Sequence, residues 1–375
     1  MRYIHEQLHW PHFHWDIEAL AGLLGTVRYK QGLLLGRMGA LGFSIQAEAG
    51  LETLTEEVVK SSAIEGEKLD SALVRSSLAR RLGMDIGGLA PVNRHIDGIV
   101  DMMLDATQQY ADPLTKSRLV GWHAALFPSG FSGFRKITVG AWRTPDDGVM
   151  QVVSGYAGKE KVHFEAPAAE RLDKEMAVFT DWFNAPADID PVLKAGIAHL
   201  WFVTLHPFGD GNGRIARAIA DCALSRADNS PHRFYSMSSR IEQERKAYYD
   251  ILERTQKGSL DITRWLGWFL GCLERAIDSP EQTLAAVFRK ARIWQQAARY
   301  PLNARQRSMI NRLLDAFAGK LTSGKYAKLE KCSADTALRD IRELVQYGIF
   351  RQSDKGGRST SYELVIPDET QTGGV

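Results

Sequence analysis

The sequence predicts a mainly α-helical protein with a few short β-hairpins. Helix-capping residues precede long stretches with helical spacing, as at Asp16 before residues 17–46 and at Asp190-Pro191 before residues 192–205. The second stretch is apolar nearly all round, which is typical of a buried helix. β-prone runs are short and lie around the turn Thr144-Pro145-Asp146-Asp147-Gly148.

Four segments are predicted. Residues 1–110 form an N-terminal helical region, with amphipathic stretches over about 51–66 and before Asp112-Pro113. Residues 111–278 form a helical core, interrupted by β-prone runs. The predicted helices of this core are 114–126, 173–184 and 192–205, and its β-prone runs are 137–139, 150–153 and 162–164.

The last two segments are a linker helix and a small C-terminal domain. Asp278-Ser279-Pro280 marks a boundary, and residues 279–300 are predicted to connect through a helix. Residues 301–368 resemble a winged-helix domain in their order of three helices and a hairpin. The predicted helices are 305–317, 323–331 and 333–347, and the predicted hairpin strands are 349–352 and 361–366 around a turn at 355–358.

Bulk composition excludes several classes of protein. The 375 residues suit two or three domains, and the apolar and charged fractions are those of a globular protein. Three widely spaced cysteines indicate neither a disulfide framework nor a zinc site, so we expect a cytoplasmic protein. No apolar run approaches the ~20 residues of a membrane span.

Charge is unevenly distributed along the chain. The net formal charge of +2 is too small to indicate a polyanion partner for the whole molecule. Residues 301–366 carry 12 Lys and Arg against 7 Asp and Glu, a net charge of +5. Within this segment, residues 333–346 form the candidate recognition helix, which contains nearly equal numbers of basic and acidic residues. We therefore expect at most weak DNA contact through residues 301–366.

Residues 206–217 contain the most informative motif, His-Pro-Phe-Gly-Asp-Gly-Asn-Gly-Arg-Ile-Ala-Arg. Its glycines leave backbone N–H groups accessible, and a helix beginning near Gly213 would direct its positive end at the same point. Arg214 and Arg217 are three positions apart, so they share a helix face and can bind two phosphates. The pattern therefore predicts a polyphosphate site.

Two titratable residues complete this motif. Asp210 places a negative charge beside the anion site, which is favourable chiefly if a divalent cation bridges carboxylate and phosphate. His206 has the unperturbed pKa range of a general base near neutral pH. The rival interpretation, a Rossmann dinucleotide fingerprint, requires a strand before the glycines, whereas residues 192–205 are capped and too long for one.

The motif resembles the active-site sequence of Fic (Fido-domain) proteins, His-x-Phe-x-Asp/Glu-Gly-Asn-Gly-Arg-x-x-Arg, at every specified position. This resemblance implies a protein adenylyltransferase that moves AMP from ATP to a Tyr, Ser or Thr hydroxyl, with Mg²⁺ or Mn²⁺. The two arginines would fix the β- and γ-phosphates. The implied residues are His206 as general base, Asp210 as metal ligand, and Gly211, Asn212, Gly213, Arg214 and Arg217 as ATP ligands.

Three further features resemble those of Fic proteins. Ser61-Ser62-Ala63-Ile64-Glu65-Gly66 matches their inhibitory motif, which implies that Glu65 pairs with Arg217 and displaces the ATP γ-phosphate. Tyr249 and Gln256 resemble the adenosine wall. Residues 150–153 resemble the flap, a hairpin that holds the target segment by strand addition.

The function that this resemblance implies is therefore that of an autoinhibited protein adenylyltransferase. Its partners would be ATP and a protein with an exposed hydroxyl, with no membrane. Two alternatives stay open: removal of AMP or transfer of another phosphate-bearing group, and a nucleotide-sensing DNA-binding regulator. The sequence also leaves open whether the protein is a homodimer.

Overall fold

A computed structural model describes residues 3–84, 90–155, 161–186, 188–278, 280–314, 317, 319–353 and 360–365. The chain forms two compact units. One comprises Met1–Ala40 and Gln46–Pro280, and the other comprises Leu41–Ile45 and Glu281–Val375. The part of the chain so described includes no helix that is long and apolar enough to cross a bilayer.

Helices dominate both units, as the sequence predicts. In chain order they are α1 (Ile17–Gly39), α2 (Phe43–Ile64), α3 (Ser71–Arg81), α4 (Arg94–Gln108), α5 (Lys116–Leu126), α6 (Leu172–Asn184), α7 (Pro191–Leu205), α8 (Asn212–Asp228), α9 (Met237–Gln243), α10 (Arg245–Gln256), α11 (Thr263–Asp278), α12 (Pro280–Ala297), α13 (Ala304–Leu314), α14 (Ser323–Leu329) and α15 (Ala334–Gln346).

The strands of the described residues form three separate two-stranded antiparallel hairpins. They pair β1 (Phe131–Ser132) with β2 (Arg135–Lys136), β3 (Gln151–Ser154) with β4 (Lys161–Glu165), and β5 (Phe350–Gln352) with β6 (Tyr362–Leu364). The predicted β-prone runs at 150–153 and 162–164 are thus confirmed as β3 and β4.

The buried helix α7 lies at the centre of the first unit and packs against α6, α8 and α11. It begins as predicted, because the Asp190 carboxylate accepts the Val192 N–H at 2.8 Å and Pro191 occupies the first helical position. Every residue from Ala195 to Leu205 is buried. This burial fixes the end of α7, and therefore the residue that follows it, relative to the core.

Two element predictions are wrong, and one helix was missed. The helix predicted over 17–46 ends at Gly39, and α2 begins at Phe43, because Gly39 and Gly42 disfavour a continuous helix. The strand predicted at 137–139 is absent; pairing occurs earlier, over 131–136, and the Ile137 N–H closes the hairpin on Gly130 O at 3.1 Å. Helix α3 was not predicted.

The second unit has its own apolar core. The three helices predicted after residue 301 and the following pair of strands occur in the predicted order, as α13, α14, α15 and β5–β6. The turn predicted at 355–358 lies outside the described residues. Asp340 of α15 is 1% exposed and forms an ion pair with Arg305 at 2.8 Å. Asp340, one of the acidic residues of 333–346, is therefore neutralised within the core and does not add negative charge to the exposed face of α15. Core residues include Ile293, Met309, Ile310, Leu321, Tyr326, Ile341, Leu344 and Phe350.

Candidate active site

His206 lies immediately after α7 in a left-handed backbone conformation, with φ 49°. Its N–H still donates to Phe202 O at 3.0 Å, and Pro207 prevents the helix from continuing. The ring Nδ1 lies 3.1 Å from Val203 O, so Nδ1–H is the donor in this contact. Nε2 is thereby left as the unprotonated nitrogen that can accept a proton.

Arg143 holds the backbone carbonyl groups of His206 and of the residue after it. Its Nε donates to His206 O at 2.9 Å, and its own N–H donates to Pro207 O at 2.8 Å. The side chain is buried and also donates to Pro167 O. Sequence reasoning missed Arg143, because a single arginine in an irregular segment carries no periodic or motif signal.

Burial is the largest influence on the pKa of His206 and lowers it below the ordinary value of 6.5. The hydrogen bond to Val203 O raises this pKa, Arg143 lowers it, and the carboxylates Glu65 and Asp210 raise it. The net shift is downward. The imidazole therefore stays neutral, and able to act as a base, to a lower pH than a free histidine.

The loop that follows is held by its own side chains. The Asn212 amide accepts the Phe208 N–H at 3.0 Å and donates to Phe208 O at 2.8 Å, so the side chain of this predicted ATP ligand is engaged within the loop. Gly211 has φ 78° and precedes α8. A Cβ at Gly211 would lie 2.9 Å from Phe127, so both conformation and space require glycine.

Glu65 occupies the N-terminus of α8. A Cβ at Gly213 would lie 2.1 Å from Glu65 Oε1, so the carboxylate sits against the first turn of this helix. The helix dipole and the unpaired N–H groups of that turn favour an anion there. The place that the motif predicts for a phosphate is thus taken by a side chain of the same protein.

The carboxylate of Glu65 also pairs with Arg217 on α8. Arg217 Nη2 lies 2.8 Å from Glu65 Oε1, and the arginine also donates to Ser61 Oγ and Ser61 O, both at 2.9 Å. The Arg217 side chain is 2% exposed, and its Nη1 has no hydrogen-bond partner among the described residues. The structure therefore brings together Glu65 and Arg217, the two residues whose pairing the family resemblance implies.

Arg214, the other arginine of the motif, has a partner that sequence reasoning missed. Its Nη1 donates to Glu67 Oε2 at 2.9 Å, and its guanidinium lies over the Phe127 ring at 5.2 Å. The second oxygen of Glu67 is bonded to His95 Nε2 of α4. The position of Glu67, two residues after the matched Glu65, was the available signal.

Asp210 lies in the loop before α8 and is half-buried. One carboxylate oxygen accepts the Gly211 N–H at 2.5 Å, and the other accepts the Ser132 hydroxyl from hairpin β1–β2. No group of three or more potential metal ligands occurs among the described residues. A single carboxylate still suits Mg²⁺, which is commonly bound by one or two carboxylates together with substrate phosphates and water.

The two predicted adenosine-wall residues lie on α10. Tyr249 is 37% exposed, and its hydroxyl lies 3.4 Å from Ile64 O at the end of α2. Gln256 is buried and donates to Thr204 Oγ1 at 3.3 Å, one residue before the end of α7. Both residues are therefore close to the segments that carry Glu65 and His206.

Hairpin β3–β4, the predicted flap, is attached to α10 by side chains. The Ser154 hydroxyl is 2.6 Å from His163 Nε2, and His163 Nδ1 is 2.6 Å from Glu253 Oε2. Farther along β4, Glu165 O is 2.8 Å from His5 Nε2 of the N-terminal segment. These contacts hold strand β4, whereas no strand among the described residues pairs with the free edge of β3.

Two family models match parts of this chain. Residues 113–224 match the Fic/DOC family, and this range ends within α8, so it contains the whole motif. The chain carries a Fic/DOC domain. Residues 3–84 match a second family, described as a domain of unknown function (DUF4172), so Glu65 and Glu67 lie outside the Fic/DOC match.

Curated relatives are named "Protein adenylyltransferase Fic". The protein from Nematostella vectensis is 37% identical over 117 residues, which cover 30% of this chain and 25% of that protein. The protein from Culex quinquefasciatus is 27% identical over 230 residues, which cover 60% of this chain and 41% of that protein. The chain therefore matches less than half the length of these relatives.

This chain has a fold similar to that of a solved structure. A Fic family protein from Desulfovibrio desulfuricans G20 superposes with a TM-score of 0.58 at 18% identity, over 95% of this chain and 98% of that one. This similarity supports the mainly helical architecture with small antiparallel hairpins. It concerns the fold alone.

Proposed function

We propose that this Fic-domain protein transfers AMP from ATP to a Tyr, Ser or Thr hydroxyl of a target protein. One observation carries the proposal: a histidine with a free Nε2 lies on the same loop as a helix N-terminus flanked by two arginines. The loop thus joins a proton acceptor to a polyphosphate site. The named adenylyltransferase relatives support the same chemistry.

In the proposed reaction, ATP places its phosphates at the N-terminus of α8, where Arg214 and Arg217 bind the β- and γ-phosphates. The incoming hydroxyl gives its proton to His206 Nε2 while its oxygen bonds to the α-phosphorus. The bond between the α-phosphorus and its bridging oxygen breaks, and pyrophosphate leaves. Backbone N–H groups of the Gly211–Gly213 turn stabilise the charge that develops on the α-phosphate.

Asp210 is the residue that would hold a divalent cation, because it is the half-buried carboxylate of the phosphate loop. The cation would neutralise phosphate charge. The hydrogen bonds that Asp210 accepts from Gly211 and Ser132 already fix the orientation of its carboxylate, so a bound cation would meet a positioned ligand.

Glu65 is proposed to inhibit this reaction. Its carboxylate occupies both the first turn of α8 and the guanidinium of Arg217, which the γ-phosphate would otherwise use. A nucleotide that enters against this carboxylate holds its α-phosphorus out of line with the attacking hydroxyl. Glu65 is about one third exposed, so water reaches its carboxylate, and the alternative proposal is that Glu65 activates water for the reverse, AMP-removing reaction.

The experiment that tests the proposed function is incubation with ATP labelled at the α-phosphate, Mg²⁺ and a cell lysate. Labelled protein bands are expected with the Glu65→Gly variant. A parallel sample labelled at the γ-phosphate distinguishes AMP transfer from phosphorylation. Absence of α-label from every band, with folded protein that binds ATP, would contradict the proposal.

Replacing Asp210 with alanine is expected to lower transfer and to abolish its dependence on Mg²⁺ or Mn²⁺, because the loop loses its metal-binding carboxylate. The measurement is initial rate against cation concentration in the Glu65→Gly background. Ser132→Ala is the matched control, since it removes a partner of Asp210 but leaves the carboxylate. Unchanged metal dependence in Asp210→Ala would show that Asp210 is structural.

The lowered pKa of His206 leads to a prediction about pH. A base with a lowered pKa is active above that pKa and is lost by protonation only below it. We therefore expect the acid limb of kcat/KM, which reports the free enzyme, to lie below the ordinary histidine value of 6.5. In Glu65→Gly the limb should move no higher, because Glu65 raises the pKa of His206. An acid limb above the ordinary value would contradict this account.

A further inference from the structure

Both arginines of the motif are held by carboxylates from one short segment. Glu65 forms an ion pair with Arg217 at 2.8 Å, and Glu67 forms one with Arg214 at 2.9 Å. The family resemblance concerns only the first of these pairs. The second pair needs a role of its own, because Arg214 is one of the two guanidiniums that the proposed function assigns to phosphates.

The backbone after α2 explains why both carboxylates face α8. The N–H groups of Glu65 and Glu67 both donate to Ser62 O, at 3.1 and 3.0 Å, and the Gly66 N–H donates to Ala63 O at 3.0 Å. Gly66 has φ 86°, a conformation that residues with a Cβ rarely adopt. The tight turn carries Glu65 and Glu67 on either side of this glycine, so they approach the same helix together.

Glu67 is built to stay charged at this position. The hydrogen bond from His95 is the largest cause that lowers its pKa, and the charges of His95 and Arg214 act in the same direction. Burial and the nearby Asp210 oppose them, and the net shift is downward. The carboxylate is 31% exposed while its partner Arg214 is 7% exposed. An ionised Glu67, fixed by α4 through one oxygen, thus presents the other oxygen to a nearly buried guanidinium.

We propose that Glu67 is a second inhibitory carboxylate, which competes with the β-phosphate of the nucleotide for Arg214. This inference rests on the proposed function and deepens its regulation. Glu65 and Glu67 then block separate phosphates, and a single movement of the Gly66 turn releases both. A nucleotide without a β-phosphate has no group that competes with Glu67 for Arg214, so Glu67 discriminates among ligands by the length of the phosphate chain.

The test is the affinity of nucleotide-free protein for AMP, ADP and ATP, measured by titration calorimetry with Mg²⁺ present. In Glu67→Ala we expect ADP and ATP to bind about 10- to 100-fold more tightly, the range of one hydrogen bond to a charged group, while AMP affinity stays unchanged. Glu67→Gln, which keeps the side-chain volume, should give a smaller gain of the same pattern. If the alanine variant does not fold, the Glu67→Gln measurements test the proposal.

Glu52→Gln provides the matched control. Glu52 lies on α2, is similarly exposed and forms an ion pair with Arg75 at 2.8 Å, which involves no motif arginine. It should leave all three affinities unchanged. A general loosening of the fold would change AMP, ADP and ATP binding alike, and that result, or unchanged ADP and ATP binding in the folded Glu67 variants, would overturn the proposal.

These binding measurements do not require transfer. If Glu65→Gly proved inactive in the labelling assay while Glu67→Ala still gained ADP affinity, the proposed function would fail and the competition at Arg214 would stand. If Glu65→Gly were active but Glu67→Ala bound ADP as the parent protein does, only the present inference would fail.

Discussion

Glu65→Gly is expected to raise AMP transfer by on the order of 10²-fold, including transfer to the protein itself, because a misplacement of about 1 Å can cost this much in rate. In the parent protein the carboxylate competes with the γ-phosphate for Arg217 and for the first turn of α8. The variant frees both groups. The measurement is incorporation of α-label at saturating ATP, parent against variant.

The same substitution should lower thermal stability without nucleotide. Arg217 is 2% exposed, so the loss of Glu65 leaves a buried charge with only its hydrogen bonds to Ser61. ATP should restore more of the melting temperature in the variant than in the parent protein, since its γ-phosphate replaces the carboxylate. Equal or lower transfer by a folded Glu65→Gly protein would instead assign Glu65 to a productive step, as AMP removal requires.

His206→Ala in the Glu65→Gly background is expected to lower transfer roughly 10²–10⁴-fold, the usual contribution of a general base. ATP affinity should be retained, because the imidazole acts on the hydroxyl and the phosphates bind at α8. Transfer and ATP binding are measured on the same protein preparation.

Backbone conformation requires a second variant at this position. His206 has φ 49°, which alanine tolerates less readily than asparagine does. His206→Asn keeps a residue suited to this conformation but removes the base, so it should lose transfer to a similar degree while melting closer to the parent protein. Substantial transfer by either folded variant would remove His206 from the mechanism.

Local signals in the sequence determined the elements that position the site. Asp190-Pro191 and Pro207 delimit α7 through effects within a few residues, and the predicted bounds of 192–205 agree with Pro191–Leu205. Composition and periodicity were less decisive over residues 17–46, where glycines split one predicted helix into α1 and α2. The motif at 206–217 was recognisable because its residue types and spacing lie within one loop and one helix turn.

The sequence by itself therefore determined a mainly helical protein, the family resemblance, the candidate base and the two arginines. Only the tertiary structure decided that Arg143 supports His206 and that Glu67, anchored by His95, occupies Arg214. These contacts join residues that are distant in sequence, and they depend on how packed helices bring side chains together. Neither helical periodicity nor local spacing contains that information.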